Sequence, residues 1–294
     1  MRACLGEDFL PLRLPACIDY HQRMSKDRKQ ILLTNDDGIR SPGLWAAAQA
    51  LAPLGFVTIA APREQYSGSG RSLPVTSDGR ITRQTLQIGS QQWTAYAIGG
   101  TPAQSVLHAC LEILPQKPDL VVSGINYGEN VGSGVTVSGT VGAALEGAAF
   151  GIPAIAVSLE LPSMDFMSYS EEVDFSVAGY FTHHFARIVL ENPLPEDVDV
   201  LKVEVPANAT PQTPWALTRM AHHHRYFLPF ANRKGALEEP GVIDVRIDVD
   251  PEEIPIDSDI YTLRVERKVA VTPLSLDMTS RVDFGDLSEL LKKK

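Results

Sequence analysis

The stretch ILLTNDDGIRSPG, residues 31–43, gives the clearest indication of the fold. An apolar run ends there at two adjacent carboxylates, Asp36 and Asp37, and a glycine and a Pro-Gly pair follow. The run predicts a buried strand, and PGLWAAAQALAPLG predicts the next helix, because proline is tolerated in a first helical turn. A strand joined to a helix by a short polar turn is the repeating unit of a parallel α/β sheet.

The same alternation of strand and helix patterns continues over residues 30–206. Further strands are predicted at FVTIAAP, DLVVSGIN, IPAIAVSLE and DVLKVEVP, and further helices at TPAQSVLHACLEIL, SGTVGAALEGAAFG and residues 171–190. RITRQTLQIG and QQWTAYAIG, around a Gly-Ser turn, predict a hairpin. We therefore predict an α/β fold with a Rossmann-like parallel sheet, in a three-layer α/β/α core spanning residues 30–206.

The two ends of the chain differ from this core. In residues 207–294, HHHRYFLPFANRKGALEEPG favours a loop, VIDVRIDVD and YTLRVERKVAVTPL alternate as exposed strands do, and FGDLSELLKKK predicts a short helix. This segment is predicted to be a β-hairpin appendage packed on the core, and we expect it to mediate oligomerisation because its strands have little core of their own. Residues 1–29 show no clear periodicity; we expect a disordered extension, or a true start at Met24 rather than Met1.

Composition narrows the class of protein. The net charge of -10 and pI of about 5.2 argue against a nucleic-acid binder, which usually carries a basic face. The longest mostly apolar run, residues 141–159, is broken by Glu146, glycines and a proline, so no membrane span is predicted. The three cysteines, Cys4, Cys17 and Cys110, give no disulfide framework and fit a cytoplasmic location.

Polar residues fall at the carboxyl ends of several predicted strands. Asp36 and Asp37 follow the first strand, Ser67 lies in the loop after the second, and Asn126 follows DLVVSG. These ends share one edge of an open parallel sheet, where ligands bind. Carboxylate, hydroxyl and amide oxygens suit Mg²⁺ or Mn²⁺, and such a cation would offset the repulsion between the two aspartates. The simpler interpretation of Asp-Asp-Gly is an exposed turn.

A glycine-rich loop precedes and opens one predicted helix. SGINYGENVGSGVTVSGTVGAA, residues 123–144, contains six glycines, so its backbone N–H groups can approach a phosphate. Ser138 or Thr140 would sit near the positive end of the helix dipole, although Ser138 could also be an ordinary N-cap. No Gly-Lys-Ser/Thr follows the loop, and no Gly-x-Gly-x-x-Gly opens the first helix, which excludes a Walker motif and a dinucleotide fingerprint.

Taken together, these segments resemble the SurE (survival protein E) nucleotidase family. The matching segments run in family order from residue 31 to about residue 281: ILLTNDDGIRSPG, APREQYSGSGRSL, GTPAQSV, PDLVVSGINYGENVG, SGTVGAALEGAAFGIPAIAVSL and VAVTPLSLDMTSR. The chain departs from the family in its first 29 residues, at Glu129, where many members have proline, and at Tyr66, where some have arginine.

The resemblance implies a function and an assembly. It implies a metal-dependent phosphatase that removes phosphate from nucleoside 5′- and 3′-monophosphates, and that in some members also cuts short polyphosphate. It further implies a homodimer or homotetramer, built partly through the C-terminal hairpins. Residues 30–206 would then be the catalytic core.

The resemblance also implies roles for particular residues. One Mg²⁺ or Mn²⁺ per subunit would be bound by Asp36, Asp37, Ser67 and Asn126. The substrate phosphate would be bound by Asn35, Gly68, Asn130, Ser138, Gly139 and Thr140. The catalytic residues would be Asp36, Asp37 and Asn130.

Three alternatives concern the mechanism and the class of protein. An aspartate could orient or deprotonate a water, or Asp36 could itself attack phosphorus. A phosphatase of the haloacid-dehalogenase type needs Asp-x-Asp, which the adjacent carboxylates disfavour. A non-catalytic nucleotide-binding or sensing module could hold its ligand through the glycine-rich segment of residues 123–144 without turning it over.

Overall fold

The computed structural model describes residues 28–161, 173–221, 226–239, 241, 243–247 and 250–293. The helices are α1 Pro42–Leu51, α2 Pro102–His108, α3 Gly139–Ala149, α4 Ser176–Glu191, α5 Asp259–Arg264 and α6 Phe284–Leu291. The strands are β1 Gln30–Thr34, β2 Phe56–Pro62, β3 Ile81–Ile88, β4 Gln91–Ile98, β5 Leu120–Tyr127, β6 Ala154–Leu159, β7 Val200–Val205, β8 Trp215–Leu217, β9 Phe227–Ala231, β10 Ile243–Ile247 and β11 Val269–Leu274. Nearly all of the predicted N-terminal extension lies outside the described residues.

Within the described residues, nine strands form one mixed sheet in the order β3-β4-β2-β1-β5-β6-β7-β11-β8. The strands from β4 to β7 in this order pair in parallel. β3 joins β4 as the predicted antiparallel hairpin, and β11 pairs antiparallel with β7. The predicted α/β fold is therefore confirmed.

Helices cover both faces of the parallel strands. β1 is buried along its whole length, as a strand covered on both faces must be. Leu33 packs into the apolar cluster that contains α1 and α4 residues, whereas Leu32 packs into the cluster that contains α2 and α3 residues. The three-layer arrangement follows from this alternation. Across the part of the chain that the structure describes, no helix is both long enough and apolar enough to span a membrane.

The segment after residue 206 differs from its predicted structure at three places. Residues 261–264, the start of a predicted strand, belong instead to α5, because Ser258 caps a helix there by accepting a hydrogen bond from the Tyr261 N–H at 3.2 Å. Part of the predicted loop forms β9, which pairs antiparallel with β10. β8 and β11 extend the main sheet, with β8 parallel to β11. The division of the chain at residue 206 stays a prediction.

The topology places a crevice at one end of β1. The chain passes from β1 to β2 on one side of the sheet and returns later to β5 on the other side of β1. Loops after β1 and β5 therefore diverge at the carboxyl ends of these two strands, which is the ligand site of open α/β sheets. The residues after β1 and those at the end of β5 face this crevice from its two sides.

A glycine allows α1 to approach this crevice. A Cβ on Gly43 would lie 2.1 Å from the backbone oxygen of Ile125, the residue before Asn126. That separation is far below van der Waals contact, so the first turn of α1 can lie against β5 only without a side chain.

We expect Gly43→Ala to lower the free energy of unfolding by about 2 kcal/mol, the usual size of a forced backbone shift in a packed interior. Urea denaturation measures this change. Gly179→Ala in α4 is the matched control, because its Cβ would meet the Ala50 Cβ at 3.7 Å, an ordinary contact. The control should be neutral or more stable by up to about 1 kcal/mol. Equal stability of the two variants would contradict the close approach.

Candidate active site

The turn after β1 projects two carboxylates from a rigid backbone. Asn35 braces this turn, since its Nδ2 donates to the Gly38 oxygen at 3.1 Å and its Oδ1 accepts from the Gly38 N–H at 3.1 Å. Gly38 has φ of 93°, a conformation that favours glycine. Asp36 and Asp37 are both buried, at 4% and 2% exposure. The structure thus places Asn35, a predicted phosphate ligand, inside the turn with both side-chain polar atoms bonded to Gly38.

Asp36 meets the N-terminus of α3. Its Oδ1 accepts a hydrogen bond from the Thr140 hydroxyl at 2.5 Å. A Cβ on Gly139 would lie 2.7 Å from Asp36 Oδ2, so the helix end reaches the carboxylate only because residue 139 is glycine. Three residues predicted from two distant segments therefore come together in one place.

Asp37 faces β5 and the loop after β2. Its Oδ2 accepts from the Tyr127 N–H at 3.1 Å, and its Oδ1 accepts from Gln65 Nε2 at 3.5 Å. The same Gln65 nitrogen donates to Ser67 Oγ at 3.0 Å, which ties the exposed Ser67 to the buried Asp37. Gln65 was missed by the sequence analysis; its only signal is a position two residues before Ser67 in the same loop.

Asn126 directly precedes Tyr127, whose N–H bonds Asp37. It lies in β5, and its Nδ2 donates to the backbone oxygens of Tyr127 at 3.2 Å and Gly128 at 2.7 Å. Because both amide hydrogens point into its own loop, the side-chain Oδ1 is the atom that can accept from a ligand or bind a cation.

The remaining predicted residues lie in the loop after β2, in the loop after β5 and at the start of α3. Ser138 is the N-cap of α3, with its Oγ accepting from the Val141 N–H at 3.1 Å. Gly68 has φ of 75° and open space around it. Asn130 is held from the far side of its loop: its N–H donates to Glu204 Oε2 at 2.9 Å and its Nδ2 donates to Ser158 Oγ at 3.0 Å.

The two aspartates are held in an electrostatically unfavourable state. Burial raises the pKa of Asp36 to about 6, although the Thr140 hydroxyl and backbone N–H groups oppose this shift. Burial, and then the charge of Asp36, raise the pKa of Asp37 well above its usual range. A divalent cation would remove this penalty.

The donor set fits a hard cation. It contains two carboxylates, the Asn126 amide oxygen and the Ser67 hydroxyl, which are ligands that Mg²⁺ and Mn²⁺ accept. Among the residues that the structure describes, no cluster of three or more His, Cys, Asp or Glu side chains offers a metal site of another type. That these four side chains bind one cation stays a prediction.

Raised pKa values predict a pH-dependent stability in metal-free protein. A carboxyl whose pKa is about 6 when folded and 3.8 when exposed stabilises the fold below pH 4, and that stability is lost as pH rises through about 6. We expect Asp36→Asn to gain about 3 kcal/mol relative to wild type between pH 4 and pH 8, from about 1.4 kcal/mol per unit of pKa. Urea unfolding in EDTA across this range measures it. A difference in the free energy of unfolding that stays constant across this pH range would contradict the presence of two buried carboxylates that repel each other.

Fold and site together define a class of protein. It is a doubly wound α/β protein with an acidic, oxygen-rich site at the carboxyl edge between β1 and β5. This site adjoins a glycine-rich segment and a helix N-terminus suited to phosphate.

Comparison with known proteins identifies the family. A family model described as Survival protein SurE matches residues 31–226. The chain is 43% identical over 264 residues to 5′-nucleotidase SurE of Thermococcus kodakarensis, covering 89% of this chain and 98% of the relative. It is 45% identical over 262 residues to 5′-nucleotidase SurE of Thermococcus gammatolerans, covering 89% and 96%.

A solved structure agrees. The crystal structure of the SurE protein from Aquifex aeolicus superimposes with a TM-score of 0.69 at 30% identity, covering 90% of this chain and 100% of that one. The chain belongs to the SurE family, and the resemblance noted in its sequence is confirmed.

Proposed function

We propose that this protein is a divalent-metal-dependent phosphomonoesterase that hydrolyses nucleoside 5′- and 3′-monophosphates to nucleoside and phosphate. The observation that carries the proposal is the contact between Asp36 and the N-terminus of α3, because it joins a predicted cation ligand to a helix end suited to phosphate. The relatives named 5′-nucleotidase SurE support nucleotidase activity. The 3′ activity and the metal requirement go beyond those names and rest on the chemistry of the site.

In this proposal Asp36, Asp37, Asn126 and Ser67 hold one Mg²⁺ or Mn²⁺. When bound, the cation supplies a Lewis acid that withdraws electron density from the phosphoryl group and lowers the pKa of a water. Gln65 keeps the Ser67 hydroxyl and Asp37 in a fixed relation through its two donated hydrogen bonds. The ligand group is therefore largely built before a cation arrives.

The chain's own groups bind and orient the phosphate. The backbone at Ser138, Gly139 and Thr140 presents the positive end of α3, and the absence of a side chain at Gly139 lets this helix end lie against Asp36. The Asn130 amide would stabilise charge on an equatorial oxygen. An aspartate of the pair orients the attacking water and takes its proton as the water oxygen bonds to phosphorus. The bond between phosphorus and the nucleoside oxygen breaks, and that proton passes to the departing oxygen, which gives nucleoside and phosphate.

We expect metal-stripped protein to release no phosphate from AMP or 3′-AMP until Mg²⁺ or Mn²⁺ is restored. Asp36→Asn should lower kcat by at least about 100-fold with either metal, since the change removes a negative ligand and a proton acceptor. Phosphate release assayed beside circular dichroism of each variant makes the measurement.

Asp119→Asn is the matched control for that experiment. Asp119 precedes β5 and bonds the Gln30 N–H at 2.8 Å, so it joins the same two strands at their opposite ends. The control should keep wild-type activity. AMP binding by wild type without phosphate release under any divalent metal would instead favour a binding or sensing module, and release from short polyphosphate alone would change the substrate class.

Exposed apolar side chains support the proposal that the protein is a homodimer or homotetramer. Every residue of α6 is outside the core, and its Phe284, Leu290 and Leu291 are 66%, 58% and 76% exposed. On the β9–β10 pair, Ile243 is 66% exposed. Apolar groups concentrated in this way mark association surfaces.

We expect light scattering at micromolar concentration to give at least twice the mass of one chain. The double variant Phe284→Ser/Leu291→Ser should reduce the mass, because it removes apolar area from α6. Glu289→Gln on the same helix is the control and should leave the mass unchanged. A monomeric wild type would contradict the proposed assembly.

A further inference from the structure

The loop of residues 128–132, here called the glycine loop, is held by carboxylates from two other segments. The Asn130 N–H donates to Glu204 Oε2 of β7 at 2.9 Å. The Gly132 N–H donates to Asp259 Oδ2, at the start of α5, at 3.0 Å. Both acids are completely buried. Two backbone donors of the glycine loop are thereby fixed by buried carboxyl groups, and burial raises the pKa of Glu204 to about 7.

A buried lysine joins these two acids. Lys202 is fully inaccessible, and its Nζ lies 3.0 Å from Asp259 Oδ2 and 3.6 Å from Glu204 Oε1. Burial by itself would lower the pKa of Lys202, but the charges of Asp259 and Glu204 outweigh it and raise the pKa. Lys202 therefore stays charged and holds the β7 carboxylate and the α5 carboxylate together.

Ser158 completes the connection to a side chain of the site. Its Oγ accepts from Asn130 Nδ2 at 3.0 Å and donates to Glu204 Oε1 at 3.2 Å. Hydrogen bonds thus run from Asn130 through Ser158 to Glu204, an ion pair joins Glu204 to Lys202, and hydrogen bonds continue through Asp259 to Gly132. Together they form a ring that begins and ends on the glycine loop. One N–H of the Asn130 amide is fixed, so its second N–H has a defined direction.

The physical role of such a ring is geometric. A buried ion pair contributes little net stability, because desolvation offsets most of the attraction, and its best-attested use is to specify one arrangement. We propose that Ser158, Lys202, Glu204 and Asp259 are positioning residues for phosphate, which aim the Asn130 amide and the glycine loop at the phosphate and leave the cation ligands unaffected. This inference rests on the proposed function.

The predicted carboxylate ligands and the glycine loop are held by different residues, and this difference makes the inference testable. The predicted carboxylate ligands Asp36 and Asp37 are fixed by Thr140, Tyr127 and Gln65, none of which belongs to the ring. The predicted ligand Asn126 bonds the glycine loop at the Gly128 oxygen, whereas the ring bonds that loop at Asn130 and Gly132. Loss of the ring should therefore weaken binding of phosphate without weakening binding of the metal. General destabilisation of the protein would not produce that difference.

The experiment measures Mn²⁺ affinity, inorganic phosphate affinity at saturating Mn²⁺, and AMP turnover in Ser158→Ala and Glu204→Gln. In each variant we expect the phosphate Kd to rise by about tenfold, as for one misdirected buried hydrogen bond, and kcat/KM for AMP to fall by at least as much. The Mn²⁺ Kd should stay within about twofold of wild type. Ser158→Ala removes only one hydroxyl and decides the question if Glu204→Gln does not fold.

Glu160→Gln is the matched control. Glu160 is also a buried glutamate in an ionic cluster, with Oε2 at 2.5 Å from Arg267 Nη2, and it follows β6 directly. Its other described partners are the Ala207 N–H and Arg264, which lie outside the ring. Arg264 approaches the glycine loop at 3.9 Å from the Glu129 carboxylate, away from the Asn130 and Gly132 N–H groups that the ring holds. We expect this control to keep wild-type phosphate affinity even where its melting temperature falls.

Three results would overturn the inference, and they differ from failure of the proposed function. Both ring variants could match wild type in phosphate affinity, Mn²⁺ affinity could fall in parallel with phosphate affinity, or Glu160→Gln could weaken phosphate as much as Glu204→Gln. Each leaves an active wild-type nucleotidase intact. A wild type that neither binds nor releases phosphate would overturn the proposed function itself, and the positioning role with it.

Discussion

The repulsion between two adjacent buried carboxylates is the constraint on which the rest of the site depends. Asp36 and Asp37 cannot both be ionised in a low-dielectric interior without compensation. The fold directs donors from three separate segments at them: Gln65 after β2, the Tyr127 N–H of β5 and the Thr140 hydroxyl of α3. These contacts hold the pair in place, and a cation can supply the charge that hydrogen bonds cannot.

Convergence of those segments requires unusually close backbone contacts. A Cβ on Gly142 would lie 2.3 Å from the Gly70 oxygen, so the loop after β2 lies directly against the first turns of α3. The same residue, Gly70, also donates its N–H to the Val137 oxygen at 2.9 Å. Glycines in these segments therefore act mainly by allowing close approach, and mobility of the loop is not needed to explain them.

The sequence predicted the parallel core and the position of the acidic site because both depend on local patterns. Apolar runs and strand ends are visible in a few consecutive residues, and the shared carboxyl edge follows from the fold class. Gln65 and the ring around Lys202 could not be predicted in this way. Asp259 lies 57 residues from Lys202 and 127 from Gly132, so their contacts depend on the packing of α5 against β7.

The alternation of apolar and polar residues led to a wrong strand prediction in the C-terminal segment. YTLR alternates in polarity as a strand would, yet it forms α5, because Ser258 provides an N-cap and the apolar Ile260 and Leu263 fill a small core cluster. Similarly, Lys202 and Glu204 in DVLKVEVP have the spacing of outward-facing strand residues, but α5 and β11 pack beside β7 and leave both side chains inaccessible. Tertiary contacts decided these positions, as they commonly do in strands.

Glu129, where this chain departs from the family pattern, contacts residues of the C-terminal segment. Where many members have proline, which stiffens a loop through its fixed φ, this chain has a buried carboxylate. The Tyr226 hydroxyl donates to Glu129 Oε1 at 2.5 Å, and Arg264 of α5 lies 3.9 Å from the same oxygen. Burial raises the pKa of Glu129, and the Tyr226 hydrogen bond opposes that shift. Rigidity that a proline ring would provide locally is thus supplied here by long-range hydrogen bonds, so the geometry of the glycine loop depends on correct folding of the C-terminal segment.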